Sequence, residues 1–429
     1  MRRLLLLPCL LLAACNAGDS LFPSTKDMHL TPLTEIKANL AFTCSCEKIP
    51  EPSTEADALF QYARWLQKGN LLKQDKAVDA EIERLYRIAS ENGHYKANIN
   101  LQNGAMRGHF KLRGEEHLRM SQQLIESDVA TGYYFIAIFL KRGAAGLKQN
   151  SDMALRYFRR AANQGSAQAQ VYISNKLAPI DIAPDVAREL RHCAARQGNG
   201  DAANALGVNY SGRGDYQEAL EAFQLGVAAG NSSSASFLGN GFRGPKPDNR
   251  LYYLGQQEDF ERVERYKKIQ KILSGYSYAN PTVPEVNEIV PLPPAKLPEW
   301  DGKLQWLEAW IANVPPPKPD ESRIRQLANA KALDPASGRP MPGSQGFIQA
   351  TSPMPTCYSG QCCPQTGYWQ VAGLLQGVYS VSEGESLRRF ERGEIMPTPV
   401  MQTRNERLLL PDKITVREER VKWRLFGEA

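Results

Sequence analysis

Residues 143 to 165 read Gly143-Ala144-Ala145-Gly146-Leu147-Lys148-Gln149-Asn150, then Ser151-Asp152-Met153, then Ala154-Leu155-Arg156-Tyr157-Phe158-Arg159-Arg160-Ala161-Ala162-Asn163-Gln164-Gly165. One helix ends at the first glycines, a loop follows, and a second helix places Ala154, Tyr157, Phe158, Ala161 and Ala162 on one face. Glycines read as equivalent recur at Gly93, Gly132, Gly165, Gly198 and Gly230, with spacings of 39, 33, 33 and 32. Each suits the left-handed position after a helix, where a Cβ would clash. Ala89, Ala161 and Ala194 precede their glycines by four residues, and Ala97, Ala169 and Ala202 follow by four, so neighbouring helices can approach closely. A single helix pair cannot bury its own apolar face. Five such units therefore predict a mainly α, stacked solenoid with a continuous core and a concave surface.

Working outward, the repeats are expected over 55–275, with Asp259 to Leu273 as one more amphipathic helix. A proline-rich capping segment follows over 276–345, carrying Pro281, Pro284, Pro291, Pro293, Pro294 and Pro298 and then Pro315, Pro316, Pro317 and Pro319. Its Trp300, Trp306 and Trp310 are expected to lie along the last repeat. Residues 346–429 change texture: Tyr368 to Val371, Leu374 to Val381, Ile414 to Val416 and Arg420 to Phe426 read as short antiparallel strands of a small β-rich module. On the other side, 15–54 reads as a polar tether, with a first ordered segment near Phe42.

The Gly-Ala-Ala-Gly-Leu loop at 143–147, Tyr157 to Gly165 and Ala219-Leu220 resemble Sel-type repeats, relatives of the tetratricopeptide repeat. The resemblance implies helix-turn-helix scaffolding that binds protein partners without chemistry of its own. Ile289 to Ala295, Trp300-Asp301-Gly302 and Leu333 to Gly338, with Gly93 to Asn98, also resemble an uncharacterised family of bacterial repeat lipoproteins over Phe42 to Gly338. Further along, Cys363 to Trp369, Phe390 to Pro397 and Val421 to Leu425 resemble a module of immunity proteins against type VI secretion toxins.

The first fourteen residues have the parts of a lipoprotein signal: Arg2 and Arg3, an apolar run from Leu4 to Leu12, then Ala13, Ala14 and Cys15. Cleavage is expected between Ala14 and Cys15, with lipid on the Cys15 thiol; Asn16 rather than Asp favours the outer membrane, facing the periplasm. Without Arg2 and Arg3 the chain holds 50 basic and 46 acidic side chains, a net of +4. That mild balance, with no dense basic block interleaved with aromatics, argues against a nucleic-acid partner. Cys44, Cys46, Cys357, Cys362 and Cys363 are the candidate disulfide cysteines in an oxidising compartment. Cys193, on an apolar helix face, reads as a buried free thiol. A zinc site from Cys44 and Cys46, or from Cys357, Cys362 and Cys363, lacks paired Cys-x-x-Cys spacing and a nearby His, so no metal is expected.

Catalytic signals fare poorly. Gly18-Asp19-Ser20-Leu21 spells a lipase nucleophile motif, but it sits in the tether, and no His beyond His192 exists to serve as base. His94-Tyr95-Lys96 matches the start of a phospholipase D motif, yet Leu101 stands at the acidic position and repeat packing explains His94 better. Gly239 to Gly244 matches a dinucleotide fingerprint by letters, with Pro245 where a helix should open, and reads as a loop. Glu115 with Glu116, and Glu418 with Glu419, read as solvated faces. The expectation is a non-enzyme without cofactors. The resemblances imply a periplasm-facing immunity lipoprotein that neutralises a type VI effector, a phospholipase being the candidate, with Tyr368, Trp369 and Trp423 as candidate contacts. The alternative is an envelope scaffold or regulatory lipoprotein recruiting a partner through its repeat groove.

Overall fold

The computed structural model describes residues 40–178, 183–347, 355–372, 379–381, 387–405, 413–418 and 420–428. Cys15, Ala14 and Ser20 lie outside them. Six helix pairs stack in order: α1 (Thr54–Asn70) with α2 (Lys76–Glu91), α3 (Tyr95–Met106) with α4 (Gly114–Glu126), and α5 (Thr131–Arg142) with α6 (Ser151–Asn163). α7 (Ala167–Leu177) with α8 (Pro184–Arg196), α9 (Gly200–Arg213) with α10 (Tyr216–Ala228), and α11 (Ser232–Gly241) with α12 (Phe260–Gly275) complete the series. The sixth pair exceeds the expected five because a long loop separates its helices and hides the repeat. Gly239 and Gly241 belong to the last turns of α11 rather than to a loop, with Leu254 packed where a Gly241 Cβ would go.

Each pair joins the next through the same short turn. Gly93, Gly165, Gly198 and Gly230 all have positive φ. The following residue donates its N–H to the carbonyl five residues back, as in His94 to Ala89, Ser166 to Ala161 and Asn199 to Ala194. This Schellman pairing satisfies carbonyls that the helix end leaves open. That same following residue then caps the next helix: His94, Ser166, Asn199 and Asn231 accept from the N–H of Ala97, Ala169, Ala202 and Ser234. The small residues sit where expected, with Ala89, Ala97, Ala161, Ala169, Ala194 and Ala202 all buried.

The second unit departs from the pattern. Its left-handed residue is Asp128, not Gly132. Gly132 lies inside α5, where a Cβ would stand 2.6 Å from the Ser121 carbonyl oxygen, so the residue is small for helix packing. The helix that follows has no capping side chain of its own. Glu47, from the extended segment before α1, supplies the cap: its carboxylate accepts from the Thr131 N–H and, at 2.9 Å, from the Thr131 hydroxyl.

The segment 276–347 caps both ends of the stack, not only the last repeat. Val283, Val286, Val290 and Leu304 enter the core of α10 to α12. The chain then forms α13 (Val286–Ile289), α14 (Gln305–Ala312) and α15 (Glu321–Ala330). Ile324, Ala328 and Leu333 join Leu59, Ile82, Leu85 and Ile88 in the core of the first pair. Arg84 holds Glu321 with both guanidinium nitrogens (2.7 and 3.2 Å) and the Pro335 carbonyl with Nε (2.7 Å). The strap therefore joins the last repeat to the first.

The C-terminal module carries seven strands among the described residues, β1 (Thr356–Tyr358), β2 (Gly367–Ala372), β3 (Tyr379–Val381), β4 (Leu387–Phe390), β5 (Val400–Asn405), β6 (Lys413–Glu418) and β7 (Lys422–Glu428). They form antiparallel sheets in the orders β1-β7-β2-β4 and β3-β5-β6. The expected segment Leu374 to Val381 is described only from Tyr379, as β3.

Turn chemistry and chain crossing separate two otherwise similar glycines. A Cβ on Gly198 meets nothing within 4 Å, whereas one on Gly165 would stand 2.4 Å from the Glu47 amide nitrogen. Gly198→Ala should cost about 1–2 kcal/mol for the left-handed conformation alone. Gly165→Ala should cost roughly 1–3 kcal/mol more, because the 42–49 segment must shift. Urea unfolding of both variants checks the ordering; equal losses would show that the crossing segment is not held there.

Candidate interaction surface

Of the residues that sequence patterns offered as chemistry, His94 and Glu116 are bound into the structure. His94 accepts from the Ala97 N–H through Nδ1 and faces Asp57 Oδ1 through Nε2 at 3.2 Å, inside the first core beside Phe60. Burial lowers its pKa, and Asp57 opposes only part of that. Glu116 is a buried structural ion rather than half of a solvated pair. It meets Arg87 Nη1 at 2.8 Å and accepts from the Arg113 N–H at 3.0 Å. Burial pushes the Glu116 carboxyl up, but Arg87 and that N–H outweigh it and hold the pKa below the ordinary value. Glu418 is exposed, and Glu419 lies outside the described residues.

Beside Glu116, His117 sits in a buried polar chain. Its Nδ1 lies 3.2 Å from Gln102 Oε1, which also accepts from the Ser121 hydroxyl, while Gln102 donates to Asn98 Oδ1 at 2.8 Å. Burial is the main reason its pKa falls from about 6.5 to about 4. His117 also borders a cleft of about 350 Å³ walled by Phe139, Ala144, Ala145 and Gly146 and, from β7, by Arg424 and Leu425.

Trp369 and Trp423 are core residues, both 0% exposed, and cannot serve as surface contacts. Trp369 Nε1 donates to the Gln365 carbonyl and Trp423 Nε1 to the Pro397 carbonyl. Phe390 packs edge-on against Trp423 at 5.4 Å, and Cys363 pairs with Gly393 and Glu394 through backbone bonds. The three motifs that resembled an immunity module are thus three walls of one small core. The third candidate contact, Tyr368, has its backbone in β2, and its side chain lies outside the described residues.

Half-buried aromatic rings, with exposed Tyr278 and exposed aliphatic side chains, gather instead where the strap joins the two ends of the stack. In α14, Trp306 and Trp310 fall four residues apart on one face and stack at 5.2 Å. Tyr276, at the end of α12, meets both rings edge-on, and Tyr278 meets Trp310. From α1, Lys68 lies 4.6 Å over the Trp310 ring and donates to the Trp310 carbonyl and, at 3.4 Å, to the Ala309 carbonyl, which also accepts from the Asn313 N–H at the end of α14. Trp65 Nε1 reaches the Asn313 carbonyl at 3.4 Å. Ile311 and Val314 follow, 65% and 77% exposed. The i, i+4 tryptophans were readable in the sequence; their junction with α1 was not, since Lys68 and Trp310 lie 242 positions apart.

The cysteines fall into two groups. Cys44 and Cys193 form a disulfide across 149 residues, so Cys193 is buried but not a free thiol. The 42–49 segment, laid against α7 and α8 by Gln170 donating to the Ser45 carbonyl, brings Cys44 there. Cys46, Cys357, Cys362 and Cys363 are free. Among the described residues, no helix is long and apolar enough to cross a membrane.

Fold and surface together define a stack of helix-turn-helix repeats closed by a non-repetitive strap. Residues 234–341 match the family described as "Domain of unknown function (DUF6396)", a stretch that spans most of the last helix pair and the strap. The chain is similar to the immunity protein Pa5087 from Pseudomonas aeruginosa (25% identity; 59% of this chain and 95% of that one; TM-score 0.46). It is similar to PA5088 from the same organism (25%; 59% and 94%; TM-score 0.47). A Sel1 repeat protein from Oxalobacter formigenes is more distant (19%; 52% and 88%; TM-score 0.38). No curated protein matches.

The histidines set an acid limit. Because His117 is held neutral in the fold, its contribution is full above pH 6.5 and is lost as pH falls from 6.5 toward 4, by about 3 kcal/mol at most. His94 acts in the same direction. Half-buried Glu47 has a pKa raised by desolvation and so the opposite sign, gaining as its carboxylate protonates. Denaturation midpoints between pH 7.5 and 4.5 should fall for the wild type and flatten for His117→Gln; parallel slopes would remove His117 from the account.

Proposed function

We propose that this chain is an immunity lipoprotein. It is anchored through Cys15 in the outer membrane, faces the periplasm, and binds and neutralises an antibacterial type VI effector, with a membrane phospholipase as the effector class. What supports the reading is the junction of Tyr276, Tyr278, Trp306 and Trp310 with exposed Ile311 and Val314. Contiguous exposed apolar surface marks interaction sites, and tryptophan and tyrosine dominate the energetics of protein interfaces. The surface needs little ordering on binding, because the strap holds α14 between the first and last repeats. Two of the similar solved structures are titled immunity proteins, and the reading gives this chain the same class of role.

Inhibition here is occlusion rather than chemistry. His94 and Glu116 spend their polar atoms on structural bonds, and the partner would be held by shape and apolar contact. A lipid on Cys15 would keep that surface at the membrane that the effector attacks.

The test pairs capture with survival. A phospholipase effector encoded beside this chain should be pulled down by it, and co-expression in the periplasm should restore growth. Ile311→Asp combined with Val314→Asp changes exposed side chains and should leave the melting temperature within a few degrees. It should weaken capture tenfold or more, equivalent to about 1.4 kcal/mol. Capture and rescue at wild-type level by that variant would clear this surface of the role, and no capture by the wild type would end the immunity reading.

A further inference from the structure

The 42–49 segment brings a third sulfur to the disulfide. The Sγ atoms of Cys44, Cys46 and Cys193 all lie within 4.8 Å of one another, with Cys193 buried and Cys46 exposed. Arg196 places Nη2 3.0 Å from Cys44 Sγ. We propose that these residues form an intramolecular thiol–disulfide exchange site, in which Cys46 and Cys44 share Cys193 as alternate partners. The proposal is independent of the immunity reading.

The step balances without an oxidant or reductant. Cys46 loses its proton to solvent, and its thiolate attacks Cys193 Sγ. A Cys46–Cys193 bond forms as the Cys44–Cys193 bond breaks, and the electron pair leaves on Cys44, which takes a proton from solvent. Thiolates are the attacking species, and a leaving sulfur that better bears charge departs faster. The Arg196 guanidinium stands at the sulfur that would carry that charge. Attack on Cys44 would instead put the charge on Cys193, in the protein interior, where burial disfavours it. Cys44 is therefore the leaving group.

Exchange moves the covalent tie two residues along the segment, about 7 Å of extended chain. The new attachment adjoins Glu47, which caps α5 and donates its N–H to Gln197 Oε1 at 3.0 Å. The site thus sets which residue pins this segment to α8. Gly165 has the Cys46 and Glu47 backbone directly over it, so the crossing itself is retained in both isomers.

Full-length protein incubated at pH 8, quenched with acid and N-ethylmaleimide, and digested without reduction should yield both Cys44–Cys193 and Cys46–Cys193 peptides. The second should accumulate more slowly at pH 6. Cys44→Ser, equilibrated in a glutathione redox buffer and checked for native circular dichroism, should carry Cys46–Cys193; Cys46→Ser should carry only Cys44–Cys193. Arg196→Met should slow the interconversion roughly threefold or more, the effect of about one unit in leaving-group pKa. Only Cys44–Cys193 in the wild type after prolonged incubation at pH 8, or both thiols alkylated in natively folded Cys44→Ser, overturns the proposal. An unchanged rate in Arg196→Met overturns the choice of leaving group.

Discussion

Proline-rich chain has carbonyl oxygens to satisfy and few N–H groups with which to pair. Between Ile289 and Pro298 those oxygens are met by two arginines one turn apart on α12. Arg262 donates to the carbonyls of Pro291 and Ala295, and Arg265 to those of Ile289 and Pro298. Guanidinium is suited to this because it only donates and does so in a planar fork. Gln224 adds a bond to the Val290 carbonyl while accepting from the Tyr266 hydroxyl. Each arginine keeps a carboxylate partner, Asp259 or Glu261, so neither cation is buried unpaired. With its start fixed in this way, the strap can carry α14 and α15 back to the first repeat.

The consequence reaches every helix pair. Repeat stacks are stabilised by neighbours, and their terminal units, with a neighbour on one side only, are the ones that open first. Here the last unit is covered by Val283 to Leu304, and the first by Ile324, Ala328 and Leu333. The middle units are crossed by the 42–49 segment through Glu47 and the Cys44 disulfide. Non-repetitive chain therefore does the work of the missing neighbours.

What the sequence made legible follows from this division. Contacts between positions close in sequence leave a periodic trace, so the helices, the left-handed glycines and the buried alanines could be read from spacing. Contacts between repeat and non-repeat chain leave none. Glu47 capping Thr131 spans 84 positions and Arg84 pairing with Glu321 spans 237, and neither pair has a motif around it. Cys193 was misread for the same reason. Gly132 was misread because a regular count of glycines hid the unit whose turn uses Asp128. Among the tryptophans, hydrophobic patterning located Trp369 and Trp423 in strands but could not say which faces were covered; both proved to be the core. Trp306 and Trp310 carried the surface signal, and only the fold shows that their helix touches both ends of the stack.

The placement of the aromatic cluster at that junction ties the proposed function to the closure. α14 is eight residues long, too short to hold a helical conformation by itself. Its order comes from Lys68 and Trp65 on one side and Tyr276 on the other. A partner that buries Ile311 and Val314 would also bury the joint between the first and last repeats. It would then bind the closed form better than any form in which the strap has lifted, and differential binding of that kind stabilises the state it prefers. The proposed binding surface and the structural closure occupy the same residues, so mutations that loosen the strap should lose partner affinity even where they touch no partner atom.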